Sequence, residues 1–170
     1  WAVEDHDGPV AIRYPRGSDR GYSDSAFEPG ADLSRMGALT CHRQGCDVAI
    51  VTYGAYANEV FAAADQLGEK GIGASVLRLL TIQPLPVGQI KEALGAGRRL
   101  LIAEETISGC GIADSLISGL VRALPDCRFE VVDLGCGFVT HGSVKELYRH
   151  CAVDSESIVH RIEEVMRCEN

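Results

Sequence analysis

The chain has 170 residues, of which 46% are hydrophobic, and its 16 basic against 24 acidic side chains give a net charge of −8. This length suffices for one domain with a sizeable core. The acidic balance, without a basic patch, argues against nucleic-acid binding, and no apolar run is long enough to span a membrane. Because the sequence begins at Trp1 rather than Met, we expect it to be a piece of a longer protein.

The first 36 residues differ in character from the rest. Gly8–Tyr14 is predicted to form a short strand that Pro15 ends. Residues 16–35 are polar and rich in Gly, Asp and Ser, which is typical of a connector between globular units. The compact part is expected to begin at Gly37.

A strand, a helix and a second strand follow within residues 47–86. Val48–Val51 is an unbroken apolar run, as expected for a strand that is covered on both faces. Residues 57–67 carry apolar side chains at helical spacing, and Ala74–Ile82 is the next apolar run. This order predicts a βαβ unit and therefore a largely parallel sheet.

A strand on either side of Arg43–Cys46 suggests a hairpin with Gly45 in its turn, and the first strand would be an antiparallel edge strand. Further helices are predicted at residues 87–94, 112–124, after Ser143 and after Asp154, and further strands at residues 99–103 and 129–134. Ser143 and Glu146 match a capping box, and Asp154 suits the N-cap of the last helix. The fold class is α/β, a three-layer αβα sandwich with about five strands, mostly parallel.

Arg13 and Arg16 flank a Tyr-Pro bend and form a compact positive cluster. The fork of donors on a guanidinium fits a phosphate or a carboxylate, and the bend leaves Arg16 free to point away from the sheet. Arg16 is therefore a candidate anion ligand. The alternative is an arginine paired with a carboxylate that helps to pack two domains.

Glu104 and Glu105 follow a predicted parallel strand, at the edge where α/β sheets tend to build their sites. Adjacent carboxylates diverge, so we expect Glu104 or Glu105 to cap the next helix rather than to act in acid–base catalysis. The glycines of Tyr53-Gly54 and Gly109-Cys110-Gly111 are expected to form tight turns, although a helix start after them could hold an anion. His141 could titrate near neutral pH, but packing in a loop is the commoner role.

The seven cysteines show no C-x-x-C spacing and no pairing with histidine, so a metal site is not favoured. Their odd number suits reduced thiols in a cytoplasm. We therefore expect a cytoplasmic protein without a metal of its own in this chain.

Several of these motifs together resemble the 1-deoxy-D-xylulose-5-phosphate synthases and, more widely, the thiamin-diphosphate-dependent transketolases. The resemblance covers almost the whole chain and rests on Gly8–Gly17 with its Arg-Tyr-Pro-Arg-Gly run, Leu79–Leu85, Glu104-Glu105, Gly109–Gly111 and the His141-Gly-Ser143 tail. It implies that residues 1–17 close a pyrimidine-binding domain, 18–36 are a linker and 37–170 form the transketolase C-terminal domain.

The resemblance further implies a homodimeric parent enzyme that condenses pyruvate with glyceraldehyde 3-phosphate, with loss of CO2, towards isoprenoids and thiamin. Arg16 would hold the substrate phosphate. Thiamin diphosphate and Mg would be bound elsewhere in the parent, so this chain would carry no catalytic residue, no cofactor ligand and no metal ligand. Its partners would be the remainder of the parent chain and a second subunit.

The chain departs from the family pattern at Pro86, at Cys110, which interrupts a Gly-Gly pair, and at Cys136-Gly137, which replaces Pro-Asp. These departures leave two alternatives open. One is the C-terminal domain of another transketolase-like enzyme. The other is a free-standing module that binds a small anion.

Overall fold

A computed structural model of the chain describes residues 6–14, 38–94 and 99–167. The chain divides into two compact units, Trp1–Met36 and Gly37–Asn170. The roles predicted for residues 1–17 and 18–36, as the end of a pyrimidine-binding domain and a linker, stay predictions.

The prediction of a strand at Gly8–Tyr14 is wrong. Residues 6–14 are all exposed and form neither helix nor strand. The alternating apolar side chains of Val10 and Ile12 are 40% and 65% exposed, so they do not mark a buried face. A short strand is stable only when it is paired and packed, and this segment shows neither feature.

The second unit alternates strands and helices along most of its length. The strands are β1 (Leu39–Arg43), β2 (Val48–Tyr53), β3 (Ala74–Leu79), β4 (Arg99–Ala103) and β5 (Arg128–Val132). The helices are α1 (Ala57–Glu69), α2 (Val87–Leu94), α3 (Ala113–Leu120), α4 (Val144–His150) and α5 (Ser155–Arg167), and a short 3-10 turn at Gly54–Tyr56 precedes α1.

The described strands form one sheet in the order β1-β3-β2-β4-β5. β2, β3, β4 and β5 run parallel, whereas β1 pairs antiparallel with β3 at the edge. Apolar side chains of α1 and α5 cover one face of the sheet, and those of α2 and α3 cover the other. The predicted three-layer αβα sandwich, mostly parallel with one antiparallel edge strand, is confirmed.

The central strand β2 shows why the sequence folds this way. Its side chains alternate between the two apolar cores, with Val48 and Ile50 in one and Ala49 and Val51 in the other. Ile50 and Val51 are fully buried, and burial of such a side chain contributes about 1.5–3 kcal/mol. An unbroken apolar run is therefore what a strand between two helical layers requires.

The predicted hairpin between β1 and β2 is wrong, because β1 pairs with β3. The chain between β1 and β2 instead passes over the start of β3. A Cβ atom on Gly45 would lie 2.3 Å from the carbonyl carbon of Gly73. Ser75 Oγ accepts a hydrogen bond from Gly45 N at 2.9 Å and donates one to Gly45 O at 2.8 Å. Gly45 is needed for this close approach and not for a hairpin turn.

The two helices after β5 begin as predicted. Ser143 Oγ accepts a hydrogen bond from Glu146 N, and the Glu146 carboxylate accepts one from Ser143 N, which completes the capping box of α4. Asp154 Oδ1 accepts from Ser157 N at 3.1 Å and caps α5. No helix formed by the described residues is both long and apolar enough to cross a membrane.

Candidate functional site

The four parallel strands end at one edge of the sheet, which is where α/β folds place their sites. We call this the carboxyl edge and define it by Tyr53, the last residue of β2, and by the segments that follow β2, β3, β4 and β5: residues 54–56, 80–86, 104–112 and 133–143. It contains Glu104, Glu105, both glycine-rich turns and His141, so the sequence candidates other than Arg13 and Arg16 all lie on it.

Glu104 is the buried charged residue of this edge, with only 2% of its surface exposed. Its Oε2 accepts hydrogen bonds from Ile112 N at 2.8 Å and from the Tyr53 hydroxyl at 3.2 Å, and its Oε1 accepts one from Ala113 N at 3.4 Å. Ile112 is the N-cap residue of α3 and Ala113 its first residue, so the carboxylate accepts from N–H groups that have no partner within the helix, at its positive end. Glu104 is a helix cap, as the sequence predicted.

Gly111 makes this cap possible. A Cβ atom at this position would lie 2.1 Å from Glu104 Oε2 and 2.2 Å from Oε1, so a side chain there would displace the carboxylate. The preceding turn uses Gly109 at φ +76°, a conformation that favours glycine. The tight-turn interpretation of Gly109-Cys110-Gly111 is therefore confirmed, and the anion at the start of α3 is the chain's own Glu104.

Tyr53 belongs to the same cluster through its hydroxyl, and Gly54 turns the chain at φ +64° immediately after it. Burial, together with the nearby charge of Glu104, raises the pKa of Tyr53 to about 12. The phenol therefore stays protonated and donates to the carboxylate throughout the neutral range. Tyr53, which precedes Gly54, and Ile112, which follows Gly111, thus both donate to Glu104.

A second set of hydrogen bonds joins the segments after β4 and β5. Ser108 Oγ donates to Asp133 Oδ1 at 2.7 Å, and Gly135 N donates to the same oxygen at 2.9 Å. The backbones meet as well, since Ser108 N donates to Gly135 O at 3.1 Å and Leu134 N to Thr106 O at 2.9 Å. These two segments therefore form one connected surface.

The remaining candidates are not brought together. Glu105 and His141 are exposed, and the described donors to Glu104 are Tyr53, Ile112 and Ala113 instead. Arg13 is exposed in the first unit. Arg16 lies outside the described residues. The carboxyl edge also exposes large apolar side chains, namely Ile82 at 42%, Ile107 at 52% and Phe138 at 93%.

A cavity of about 270 Å³ lies beside this edge, between the end of β5, the turn after α4 and α5, and Asp133 of the carboxyl edge is one of its lining residues. Its basic side chains are His160 and Arg161, and both face Glu164, at 3.6 and 3.7 Å. An anion site needs positive charge that is not already compensated. The cavity therefore does not supply the concentrated positive charge that a small anion would require.

The sequence did not predict the roles of Tyr53 and Asp133. Tyr53 lies 51 residues before Glu104, so no local spacing links the two. Asp133 carries a weak signal, because it follows a strand and precedes Gly135, a pattern typical of a turn in which the side chain accepts from the backbone.

Comparisons with known proteins agree with this fold. Residues 37–158 match the family described as "Transketolase, C-terminal domain". Among solved structures, a split-gene transketolase described as an inactive beta4 tetramer superposes with a TM-score of 0.63 at 22% identity, over 74% of this chain and 41% of that one. A 2-oxoglutarate:ferredoxin oxidoreductase from Magnetococcus marinus superposes with a TM-score of 0.53 at 19% identity, over 78% of this chain and 20% of that one. At these identities the structures show the fold alone.

Curated relatives are similar over nearly the whole chain. The 1-deoxy-D-xylulose-5-phosphate synthase of Thiobacillus denitrificans is 33% identical over 161 residues, which are 94% of this chain and 24% of that protein. The synthase of Thermomicrobium roseum is 34% identical over 163 residues, 94% of this chain and 25% of that protein. The chain thus spans about a quarter of the length of these relatives, and the similarity extends beyond the second unit into the first. On its matching residues, its fold and its relatives, this chain belongs to the transketolase C-terminal domain family.

Proposed function

We propose that this chain is the C-terminal structural and subunit-packing part of a 1-deoxy-D-xylulose-5-phosphate synthase. The parent enzyme would condense pyruvate with glyceraldehyde 3-phosphate, release CO2, and supply a precursor of isoprenoids and thiamin. Its partners would be the remainder of the parent chain and a second subunit, and we place it in the cytoplasm because its cysteines suit reduced thiols.

The role of Glu104 as a helix cap is the observation that supports a structural rather than a catalytic function for this chain. An acid or base in catalysis needs a carboxyl group that reaches a substrate proton. Both oxygens of Glu104 are instead engaged by Ile112, Ala113 and Tyr53, and Gly111 closes over them. The buried acid of the carboxyl edge therefore stabilises a helix start and is not available to a substrate.

The family implies thiamin diphosphate and Mg²⁺ in the parent, and we propose that both are bound by other parts of the parent enzyme. Magnesium is held by oxygen ligands, usually carboxylates together with phosphate oxygens. Within residues 6–14, 38–94 and 99–167, no group of three or more His, Cys, Asp and Glu side chains could hold a metal ion.

A chimera tests the proposal. The C-terminal quarter of the Thiobacillus denitrificans synthase would be replaced by this chain, and formation of 1-deoxy-D-xylulose 5-phosphate would be measured, with this chain alone as the control. We expect product from the chimera and none from the chain alone. A folded chimera that uses a different acceptor sugar, or a chain that is active by itself, would contradict the proposal.

Arg16 is proposed to bind the phosphate of the substrate in the parent, because a guanidinium matches two phosphate oxygens at once. In the chimera, Arg16→Ala should raise KM for glyceraldehyde 3-phosphate about 10-fold or more, the loss expected for a charge-assisted hydrogen bond. KM for pyruvate should change little. Arg13→Ala is the matched control, and an equal effect of both substitutions would refute the special role of Arg16.

A further inference from the structure

Two identical triplets lie on the connected surface of the carboxyl edge. Gly109-Cys110-Gly111 follows β4, and Gly135-Cys136-Gly137 follows β5. Both cysteines are departures from the family pattern noted in the sequence, and both fall on segments that are hydrogen-bonded to each other. We propose that Cys110 and Cys136 form a reversible intrachain disulfide, so that this edge is a site of thiol oxidation.

The backbone contacts hold the two cysteines near each other. Ser108 N lies 3.1 Å from Gly135 O, and Cys110 N donates to Ile107 O at 2.9 Å, which folds Cys110 back towards Ser108. Cys136 follows Gly135 directly. Standard backbone dimensions then keep the Cα atoms of Cys110 and Cys136 within about 12 Å of each other. A disulfide requires a Cα separation below about 7 Å, so the backbone has to approach by no more than about 5 Å.

The local sequence permits that shift. A Cβ atom built on Gly135 or Gly137 would meet nothing within 4 Å, so this triplet has free space around it. Gly111 is fixed over the Glu104 carboxylate, and Cys110 is therefore the anchored partner. Gly135 is held by its hydrogen bonds to Asp133 and Ser108, so the movement falls on Cys136 and on Gly137, which lacks a side chain and adopts a wide range of backbone angles.

The other described cysteines are less suited. Cys110 and Cys136 are exposed, as are Cys41 and Cys46, whereas Cys127 and Cys151 are partly covered. Cys41 lies in β1, at the opposite edge of the sheet from β5, and Cys46 lies before β2, at the amino end of the strands. Within the described part of the chain, the carboxyl edge thus carries Cys110 and Cys136 as its exposed thiols.

The oxidation is a thiol–disulfide exchange with a small-molecule disulfide such as oxidised glutathione. One cysteine thiolate attacks a glutathione sulfur and releases one reduced glutathione. The second cysteine thiolate attacks the protein sulfur of this mixed disulfide and releases another. The two cysteines lose two protons and two electrons, and the oxidised glutathione gains them. Reduced glutathione in excess reverses the reaction.

The experiment uses the 170-residue chain. It is incubated with oxidised glutathione, blocked with iodoacetamide, digested without reductant and analysed by mass spectrometry. We expect the main product to be two hydrogens lighter than the reduced chain before alkylation, with the peptides of Cys110 and Cys136 joined. Closure of this loop constrains the unfolded chain, so the oxidised form should melt several degrees higher.

Variants make the test specific. Cys110→Ser and Cys136→Ser should each abolish the cross-linked peptide and leave a mixed disulfide with glutathione, while Cys41→Ser and Cys46→Ser should retain it. The same oxidation in denaturant should lose the preference for this pair. Mixed disulfides alone in the folded chain, another dominant pair, or the same pairing in denaturant would each overturn the proposal, and circular dichroism establishes that every variant is folded.

Discussion

The starts of α3 and α4 are capped in opposite ways. The cap of α4 is local and exposed, because Ser143 and Glu146 lie three residues apart and satisfy each other's N–H groups. The cap of α3 comes from Glu104, which lies eight residues before Ile112, is buried and depends on Gly111 and Tyr53. A local cap stabilises one helix end, whereas a buried remote cap also ties β4, β2 and α3 together. Substitutions that disturb the cap of α3 should therefore lower the free energy of unfolding more than those that disturb the cap of α4.

Gly111→Ala is expected to have the largest effect. Its Cβ would lie 2.1 Å from Glu104 Oε2, so the carboxylate would leave its donors, and we expect a loss of about 3 kcal/mol in the free energy of unfolding. Denaturant unfolding measures it. Gly137→Ala is the matched control, because a Cβ there meets nothing within 4 Å. Equal stability of both variants would show that Glu104 is not held as described.

Glu104→Gln is expected to lower the free energy of unfolding by about 2 kcal/mol. The amide is nearly the same size but lacks the charge that favours a helix N-terminus, and its NH2 group is placed among donors. Glu105→Gln serves as the control, because Glu105 is exposed and should change the unfolding free energy by less than about 0.5 kcal/mol. A larger effect at Glu105 would reverse the assignment of the cap.

Tyr53→Phe removes one hydrogen bond to Glu104 and should cost about 1 kcal/mol at neutral pH. The pKa of Tyr53 is raised to about 12, above the value of about 10 in an unfolded chain. Its contribution to stability is thus complete below pH 10 and is lost as the pH rises towards 12. Between pH 9 and 12, the free energy of unfolding should fall less steeply with pH in Tyr53→Phe than in the unsubstituted chain. Parallel curves of unfolding free energy against pH would contradict this linkage.

Ser143→Ala should have the smallest effect, a loss of about 0.5 kcal/mol in the free energy of unfolding, because the cap of α4 that it removes is local and exposed. Hydrogen bonds from the Ser143 side chain and backbone lower the pKa of Glu146. This contribution is present above the unfolded pKa and disappears as the pH falls through the folded pKa. Carbon-detected NMR titration should show the Glu146 pKa rising in Ser143→Ala, and an unchanged value would argue against the capping box.

The same contrast explains what the sequence could predict. Local patterns located α2 and β4 at their observed bounds and identified the Ser143 and Asp154 caps. The pairing of β1 with β3 could not be predicted, because the short connection after β1 fits a hairpin equally well. The two are distinguished by the pairing of β1 with β3 and by the close approach of Gly45 to Gly73, both of which are tertiary contacts. Glu104 was predicted as a cap from its place in the chain, but its tyrosine partner depends on tertiary packing.

The central claim is that this chain is a structural domain whose carboxyl edge is committed to its own fold. Calorimetric titration of thiamin diphosphate with Mg²⁺ into the isolated 170-residue chain tests it most directly. We predict no saturable binding at concentrations up to about 1 mM, equivalent to less than about 4 kcal/mol of binding free energy. One-to-one binding with a sub-millimolar Kd would contradict the account.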